Sequence, residues 1–125
     1  MLYLDTNIFI YLLEGHETYA EAVANVLDEY ALSDDSLLTS TITIIEFLAG
    51  TDSAALSLLQ QVPRLEFIVL DESLAERAAL LQKEEGLQIG DAIHLATAIQ
   101  QQADFFTNDK ILARAAKRYM RVRGL

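Results

Sequence analysis

The chain contains no cysteine, only one proline and only two histidines among its 125 residues. Without cysteine it can form no disulfide framework, thiol nucleophile or zinc–thiolate site. The two histidines, His16 and His94, are far apart in the sequence and make a poor metal-binding pair. Any chemistry of this protein must therefore use oxygen ligands and carboxylates.

Long apolar runs are also missing. No stretch approaches the roughly 20 apolar residues that a membrane helix requires, and the N-terminus lacks the basic region and cleavage site of a signal peptide. The sequence therefore predicts a cytoplasmic protein. Apolar residues make up 52% of the chain and are spread along it, which predicts one folded domain, residues 1–125, with a buried core.

The charges are unevenly distributed. The formal net charge is −10, and the first 109 residues carry three basic and all nineteen acidic residues. The last 16 residues carry six basic residues and no acidic one. Such a segment is either a solvated helix face or a surface for phosphates. The candidates for RNA contacts in this segment are Arg114, Lys117, Arg118 and Arg121.

Strand-like and helix-like patterns alternate along the chain. Short strands are predicted at LYLD, LLTST, LEFIVL, DFFT and MRVR. Helices are predicted between them, at TNIFIYLLEG, about Glu17–Leu32, TIIEFLAG, DSAALSLLQQV, ESLAERAALLQKEEG, GDAIHLATAIQQQ and DKILARAAKRY. This alternation predicts an α/β fold, with a parallel sheet of about five strands covered by helices on both faces.

Four acidic residues occupy positions where such a fold binds ligands. In open α/β sheets, ligands bind at the carboxyl ends of the strands, near the point where the strand order reverses. Asp5 follows the first predicted strand, and Asp109 follows DFFT. Asp91 is predicted to begin the helix before DFFT, and Glu46 to lie within the helix after LLTST. All four can project toward one edge of the sheet.

Each acid also has a purely structural explanation. Asp5, Asp91 and Asp109 each precede a predicted helix, where an aspartate N-cap contributes about 1 kcal/mol. Glu46 lies in mid-helix among apolar residues, where a carboxylate facing the core needs a partner and one facing solvent is ordinary.

Two neighbours of Asp91 are open to more than one interpretation. Gly90 indicates either a close approach of the backbone or a simple turn. His94 is one helical turn from Asp91 and could contact the site, but a single histidine on an apolar helix is more often a satisfied core residue. His94 is therefore not included in the predicted catalytic set.

The combination of DTN, the isolated Glu46, GDAIHLATA and FFTND is more specific than any one of these motifs. With them, the sequence resembles the PIN-domain family of metal-dependent ribonucleases over its whole length. In size and layout it is similar to the compact VapC-type toxins of type II toxin–antitoxin pairs. The resemblance implies a PIN-like three-layer fold, a single nuclease domain spanning 1–125, and endonuclease activity on the phosphodiester bonds of RNA.

The resemblance also implies roles for individual residues. The positions that match the four catalytic and metal-binding acids of the family are Asp5, Glu46, Asp91 and Asp109. The candidates for residues that orient these acids are Thr6, Asn7 and Thr107. The implied partners are an RNA substrate, an antitoxin that wraps the toxin and blocks its site, and a second copy of the chain in a homodimer.

The chemistry of four carboxylates agrees with this assignment. Carboxylates that converge in one cleft repel one another, and at least one of them would retain a proton unless a cation were present. Carboxylate and water ligands select hard ions, so Mg²⁺ or Mn²⁺ is the expected cofactor. Asp5 and Asp91 are predicted as the main ligands, whereas Glu46 and Asp109 would bind through water or position the nucleophile.

Two other functions remain open at this point. An aspartate-based, Mg²⁺-dependent phosphatase or phosphoacceptor domain also places an aspartate at a strand end, although DTN lacks the second aspartate of the usual DxD pair. A non-catalytic interaction module would keep the fold without the activity. The sequence lacks the glycine-rich phosphate loop, the dinucleotide-binding motif and the nucleophile elbow of other enzyme classes.

Overall fold

The computed structural model describes residues 1–52 and 54–125, and within them five strands form one parallel sheet. The strands are β1 (Leu2–Leu4), β2 (Leu37–Ser40), β3 (Leu65–Ile68), β4 (Asp104–Phe106) and β5 (Val122–Arg123). The helices are α1 (Thr6–Leu13), α2 (Ala20–Leu32), α3 (Ile42–Ala49), α4 (Ala55–Gln60), α5 (Glu72–Glu85), α6 (Ile89–Gln101) and α7 (Lys110–Ala116). The predicted α/β fold with a five-stranded parallel sheet is confirmed.

The sheet separates two apolar cores because alternate side chains of a strand point to opposite faces. Tyr3 of β1 packs in one core with α5, α6 and α7. Leu2 and Leu4 pack in the other core with α1, α2 and α3. The three layers are therefore helix, sheet and helix, with the short central strand β1 fully buried.

Local signals explain where several helices begin and end. The Asp71 carboxylate accepts a hydrogen bond from the backbone N–H of Leu74 at 2.8 Å, which caps the first turn of α5. The same helix ends at Gly86, whose left-handed backbone (φ 65°) favours glycine.

The prediction that Asp91 caps a helix is wrong. Helix α6 begins earlier, at Ile89, with Gln88 as its extended N-cap residue. The backbone N–H of Ala92 donates to the carbonyl of Gln88 at 3.0 Å, so Asp91 already lies inside the first turn. Its carboxylate is therefore not required as a cap.

The strand order decides where the site lies. The order across the sheet is β3-β2-β1-β4-β5. Strands β2 and β3 therefore lie on one side of β1, and strands β4 and β5 lie on the other side. The order reverses between β1 and β4, and a crevice is expected at their carboxyl ends. Asp5 follows β1 and Asp109 lies three residues beyond β4, on the two sides of this switch point.

None of the helices in the described part of the chain has the length and apolar character needed to span a membrane.

Candidate metal centre

Asp5 is a buried carboxylate at the end of β1, with only 5% of its surface exposed. Its backbone N–H donates to the carbonyl of Phe106 at 3.1 Å, which aligns the ends of β1 and β4. The carboxylate accepts hydrogen bonds from the backbone N–H of Thr6 at 2.8 Å and from the Thr107 hydroxyl at 2.9 Å. Burial raises the pKa of Asp5 and outweighs these hydrogen bonds and the nearby His94, which favour the ionised form.

Thr107 joins the two acids that flank the switch point. Its buried hydroxyl donates to Asp5 and accepts from the backbone N–H of Asp109 at 3.0 Å. One carboxylate oxygen of Asp109 accepts from the backbone N–H groups of Ile111 and Leu112, at 2.9 and 3.1 Å. Asp109 therefore does cap α7, and that role fixes the carboxylate beside the crevice.

The pKa of Asp91 is affected by the charges of the other three acids. It is partly buried in the first turn of α6. Burial, followed by the negative charges of Asp5 and Asp109, raises the pKa of Asp91 to about 6. Glu46 adds to the same shift. The four predicted acids therefore lie close enough together for mutual repulsion, as a cation site requires.

Glu46 is attached to the site through one carboxylate oxygen. Its Oε1 accepts from the Thr6 hydroxyl at 2.7 Å and from Nε2 of His94 at 2.7 Å. Burial opposes ionisation of Glu46, but the hydrogen bonds from His94 and Thr6 outweigh it and lower the pKa. The other oxygen, Oε2, lies over Gly90, where an added Cβ would come within 2.7 Å of it. The glycine thus leaves room for the carboxylate next to Asp91.

His94 is the residue that the sequence left outside the site and that the structure places within it. The ring is buried, with 1% of its surface exposed. Besides its contact with Glu46, its Nε2 lies 3.7 Å from Oδ1 of Asp5, and its Nδ1 lies 2.6 Å from the Tyr3 hydroxyl. Its position one turn after Asp91 was the only sequence signal for this contact.

Other predicted residues lie farther from the acids or have other partners. Asn7 is exposed, and the side chain of Asp5 takes its hydrogen bonds from Thr6 and Thr107 instead. Arg118 forms an ion pair with Glu85. The predicted roles of Asn7 and of the basic residues stay predictions.

Arg121 and the Asp104 carboxylate form an ion pair at 3.5 Å. Asp104 begins β4, so this pair lies at the amino edge of the sheet, opposite the switch point. Arg114 and Lys117, by contrast, are exposed along α7 and at its end, in the direction that leads away from Asp109.

The chemical type of the ligands suits a hard divalent cation, because all four acids supply carboxylate oxygens. Gly90 leaves space for the carboxylate of Glu46. Within residues 1–52 and 54–125, however, no three His, Asp or Glu side chains already converge as direct ligands. Mutual repulsion of the acids is compatible with the lack of direct convergence, because charges repel over longer distances than a coordination sphere spans. Oε1 of Glu46 already accepts hydrogen bonds from His94 and Thr6, so this oxygen is not free to bind a cation directly.

Comparison with known proteins gives one family and a consistent set of folds. The profile of the PIN domain matches residues 2–118. Comparison with curated proteins gives no match.

Among solved structures, the chain is similar to FitAcB from Neisseria gonorrhoeae, with a TM-score of 0.71 and 26% identity over 98% of this chain and 96% of that chain. A toxin–antitoxin complex from Klebsiella pneumoniae gives a TM-score of 0.72 and 25% identity over 87% of each chain. VapBC2 from Rickettsia felis, bound to a DNA fragment from the promoter, gives a TM-score of 0.73 and 23% identity over 100% of this chain and 99% of that chain.

Proposed function

The chain belongs to the PIN domain family, and on that basis we propose that it is a metal-dependent endoribonuclease. The observation that supports this function most directly is the placement of Asp5, Asp91 and Asp109 around the switch point of the sheet, with Glu46 over Gly90 beside Asp91. Burial and the charges of the neighbouring acids raise the pKa of Asp91 to about 6, which agrees with this placement. A cluster of acids at the switch point of a parallel sheet costs stability, which a bound divalent cation would recover.

The four acids and their neighbours have different proposed roles in such a site. Mg²⁺ or Mn²⁺, when bound, would activate a water and stabilise the leaving oxygen of the phosphodiester. Asp5 and Asp91 are the proposed direct ligands, and Asp109 and Glu46 would bind through water or orient the attacking water. Thr107 fixes the orientation of Asp5 through its 2.9 Å hydrogen bond.

The proposed path for RNA follows α7 away from Asp109. Arg114 and Lys117 are exposed, and among the described residues neither forms an ion pair, so both are available for phosphates. Arg118 and Arg121 have carboxylate partners and are weaker candidates for RNA contacts. Phosphate contacts confined to one basic segment agree with a net charge of −10 on the whole chain.

We further propose that the protein is the toxin of a type II toxin–antitoxin pair, because the similar FitAcB and Klebsiella structures come from chains of nearly the same length, and the latter is a toxin–antitoxin complex. An apolar groove of about 380 Å³ between α1, α2 and α4 offers a surface for the antitoxin. Its apolar lining includes Leu12, Leu13, Ala24, Leu27, Leu58 and Val62. Since Asp28 also lines the groove and the chain is acidic, the expected occupant is an apolar segment with basic flanks.

The nuclease proposal is tested by incubating the protein with single-stranded and structured RNAs in Mg²⁺ or Mn²⁺. We expect cleavage with either ion, none in EDTA and none for Asp5→Asn. Asp28→Asn, an exposed acid on α2, is the matched control and should cut like the parent. Release of phosphate from a phosphomonoester without RNA cleavage would favour the phosphatase alternative, and no metal-dependent reaction at all would favour an interaction module.

The antitoxin proposal is tested by co-expression with the product of a small reading frame adjacent to the gene. We expect a complex that lacks ribonuclease activity, and Leu58→Glu should prevent its formation while metal-dependent cleavage by the isolated protein remains. If Leu58→Glu did not affect complex formation, the groove would be excluded as the antitoxin-binding surface. The homodimer stays a prediction that light scattering of the isolated chain can check.

A further inference from the structure

A chain of buried polar side chains leads from the centre of the sheet to the acidic site. Tyr3 is fully buried on β1, and its hydroxyl lies 2.6 Å from Nδ1 of His94. The opposite ring nitrogen, Nε2, lies 2.7 Å from Oε1 of Glu46. The Thr6 hydroxyl donates to the same oxygen. Two side chains, Thr6 of α1 and His94 of α6, thus meet at one carboxylate oxygen of Glu46 on α3, and Tyr3 of β1 contacts the far side of the His94 ring.

The direction of these hydrogen bonds follows from the chemistry of the groups. An ionised carboxylate can only accept hydrogen bonds, so the hydrogen of the His94–Glu46 contact belongs to Nε2 of the ring. A buried phenol that keeps its proton can donate to Nδ1, which favours the ring form with its hydrogen on Nε2. The ring plane is further restricted by edge contact with Tyr3, with the centroids 5.7 Å apart.

We propose that His94 is a positioning residue, which holds Oε1 of Glu46 so that Oε2 is presented over Gly90 toward Asp91, and that Tyr3 orients the His94 ring for this task. This inference rests on the proposed metal site, because its purpose is to prepare Glu46 for a cation. It assigns His94 no direct contact with metal or RNA.

The need for such a support comes from the position of Glu46. Its side chain is 36% exposed on α3, and a free glutamate there would lose rotamer freedom on binding a cation. Two buried donors, Thr6 and His94, restrict that freedom in advance. Gly90 completes the arrangement, because a larger residue would displace Oε2.

The opposing interpretation is that His94 is an ordinary core residue and that Glu46 only provides the hydrogen-bond acceptor for its buried Nε2. In that case the hydrogen bond would compete with the cation for Glu46, and removing it would leave metal affinity unchanged or increase it. The positioning role predicts the reverse, because outer-shell partners of metal ligands typically contribute a factor of 10 to 100 in affinity. The sign of the change in affinity therefore separates the two interpretations.

The first experiment measures Mn²⁺ binding by titration calorimetry for the parent, His94→Gln and His94→Asn. The glutamine amide nitrogen reaches the position of Nε2 and can still donate to Glu46, whereas the asparagine amide ends near Nδ1. We expect His94→Asn to weaken Mn²⁺ binding about 10-fold or more and His94→Gln to recover most of that loss. Equal affinity for the parent and His94→Asn, or equal losses for the two variants, would overturn the proposal.

The second experiment needs no metal and no active enzyme. Nitrogen NMR of ¹⁵N-histidine-labelled, metal-free protein reports which ring nitrogen carries hydrogen, and His16→Gln assigns the two rings. We expect hydrogen on Nε2 of His94 in the parent and an altered, averaged ring signal in Tyr3→Phe. A bare Nε2 would overturn the proposal. Absence of Mn²⁺ binding by the parent would refute the metal site, whereas the NMR result would still test the hydrogen bond to Glu46.

Discussion

Asp91→Asn should stabilise the metal-free protein at neutral pH. The pKa of this carboxyl is raised from 3.8 to about 6, first by burial and then by the charges of Asp5 and Asp109. At 1.36 kcal/mol per pKa unit, the ionised form costs at most about 3 kcal/mol, and partial exposure reduces the expected gain to about 1–2 kcal/mol. Asparagine has the same shape without the charge, and no cap is lost because Gln88 occupies the N-cap of α6.

The gain should depend on pH in a defined way. A carboxyl with a raised folded-state pKa contributes stability that is fully present below its unfolded-state pKa and is lost as pH rises through the folded-state value. For Asp91 that window runs from 3.8 to about 6. The advantage of Asp91→Asn should therefore be largest above pH 7 and vanish near pH 4.

Urea unfolding in EDTA across pH 4 to 8 measures this difference. Asp28→Asn is the matched control, because Asp28 is exposed on α2 and should give a small difference at every pH. A gain of Asp91→Asn that is independent of pH, or a loss of stability at pH 8, would refute the electrostatic reasoning.

Three further outcomes are expected. Titration with Mg²⁺ or Mn²⁺ should raise the thermal midpoint over an EDTA baseline, by about 2.7 kcal/mol of unfolding free energy at a hundred times the dissociation constant, and an unchanged midpoint would count against the site. Thr107→Val should lower the free energy of unfolding in urea by about 1–3 kcal/mol, because it leaves buried groups at the switch point without a hydrogen bond, and Thr107→Ser should recover most of the loss. Arg114→Glu with Lys117→Glu should flatten the salt dependence of RNA binding by about 0.7 per lost contact, whereas Arg118→Glu should change it less.

The acidic site could be predicted in part, because its members carry local signals. Asp5 and Asp109 stand where strand patterns end and helix patterns begin, and both do cap their helices. Asp91 carries a similar signal, but helix α6 begins at Ile89, and its N-cap is Gln88, a residue that gives no strong N-cap signal. Helix boundaries depend on such weak preferences: the predicted helix starts at Gly90, one residue after the observed start, and the N-cap lies three residues before Asp91.

Contacts between distant parts of the chain could not be predicted from local patterns. Thr107 and Asp5 are 102 residues apart in the sequence, and their hydrogen bond requires β4 to pair with β1. His94 and Glu46 are 48 residues apart and lie on different helices. A histidine in an apolar helix has the same local pattern whether it is a core residue or supports a carboxylate.

The sequence by itself determined the alternation of strands and helices, the acidic body and the order of the four acids, because periodicity, caps and composition act within a few residues. Only the tertiary structure decided the strand order, the hydrogen bonds of Glu46 to His94 and Thr6, and the carboxylate partners of Arg118 and Arg121. These features depend on how whole elements pack across the sheet, and packing follows from the burial of two apolar cores rather than from any local pattern.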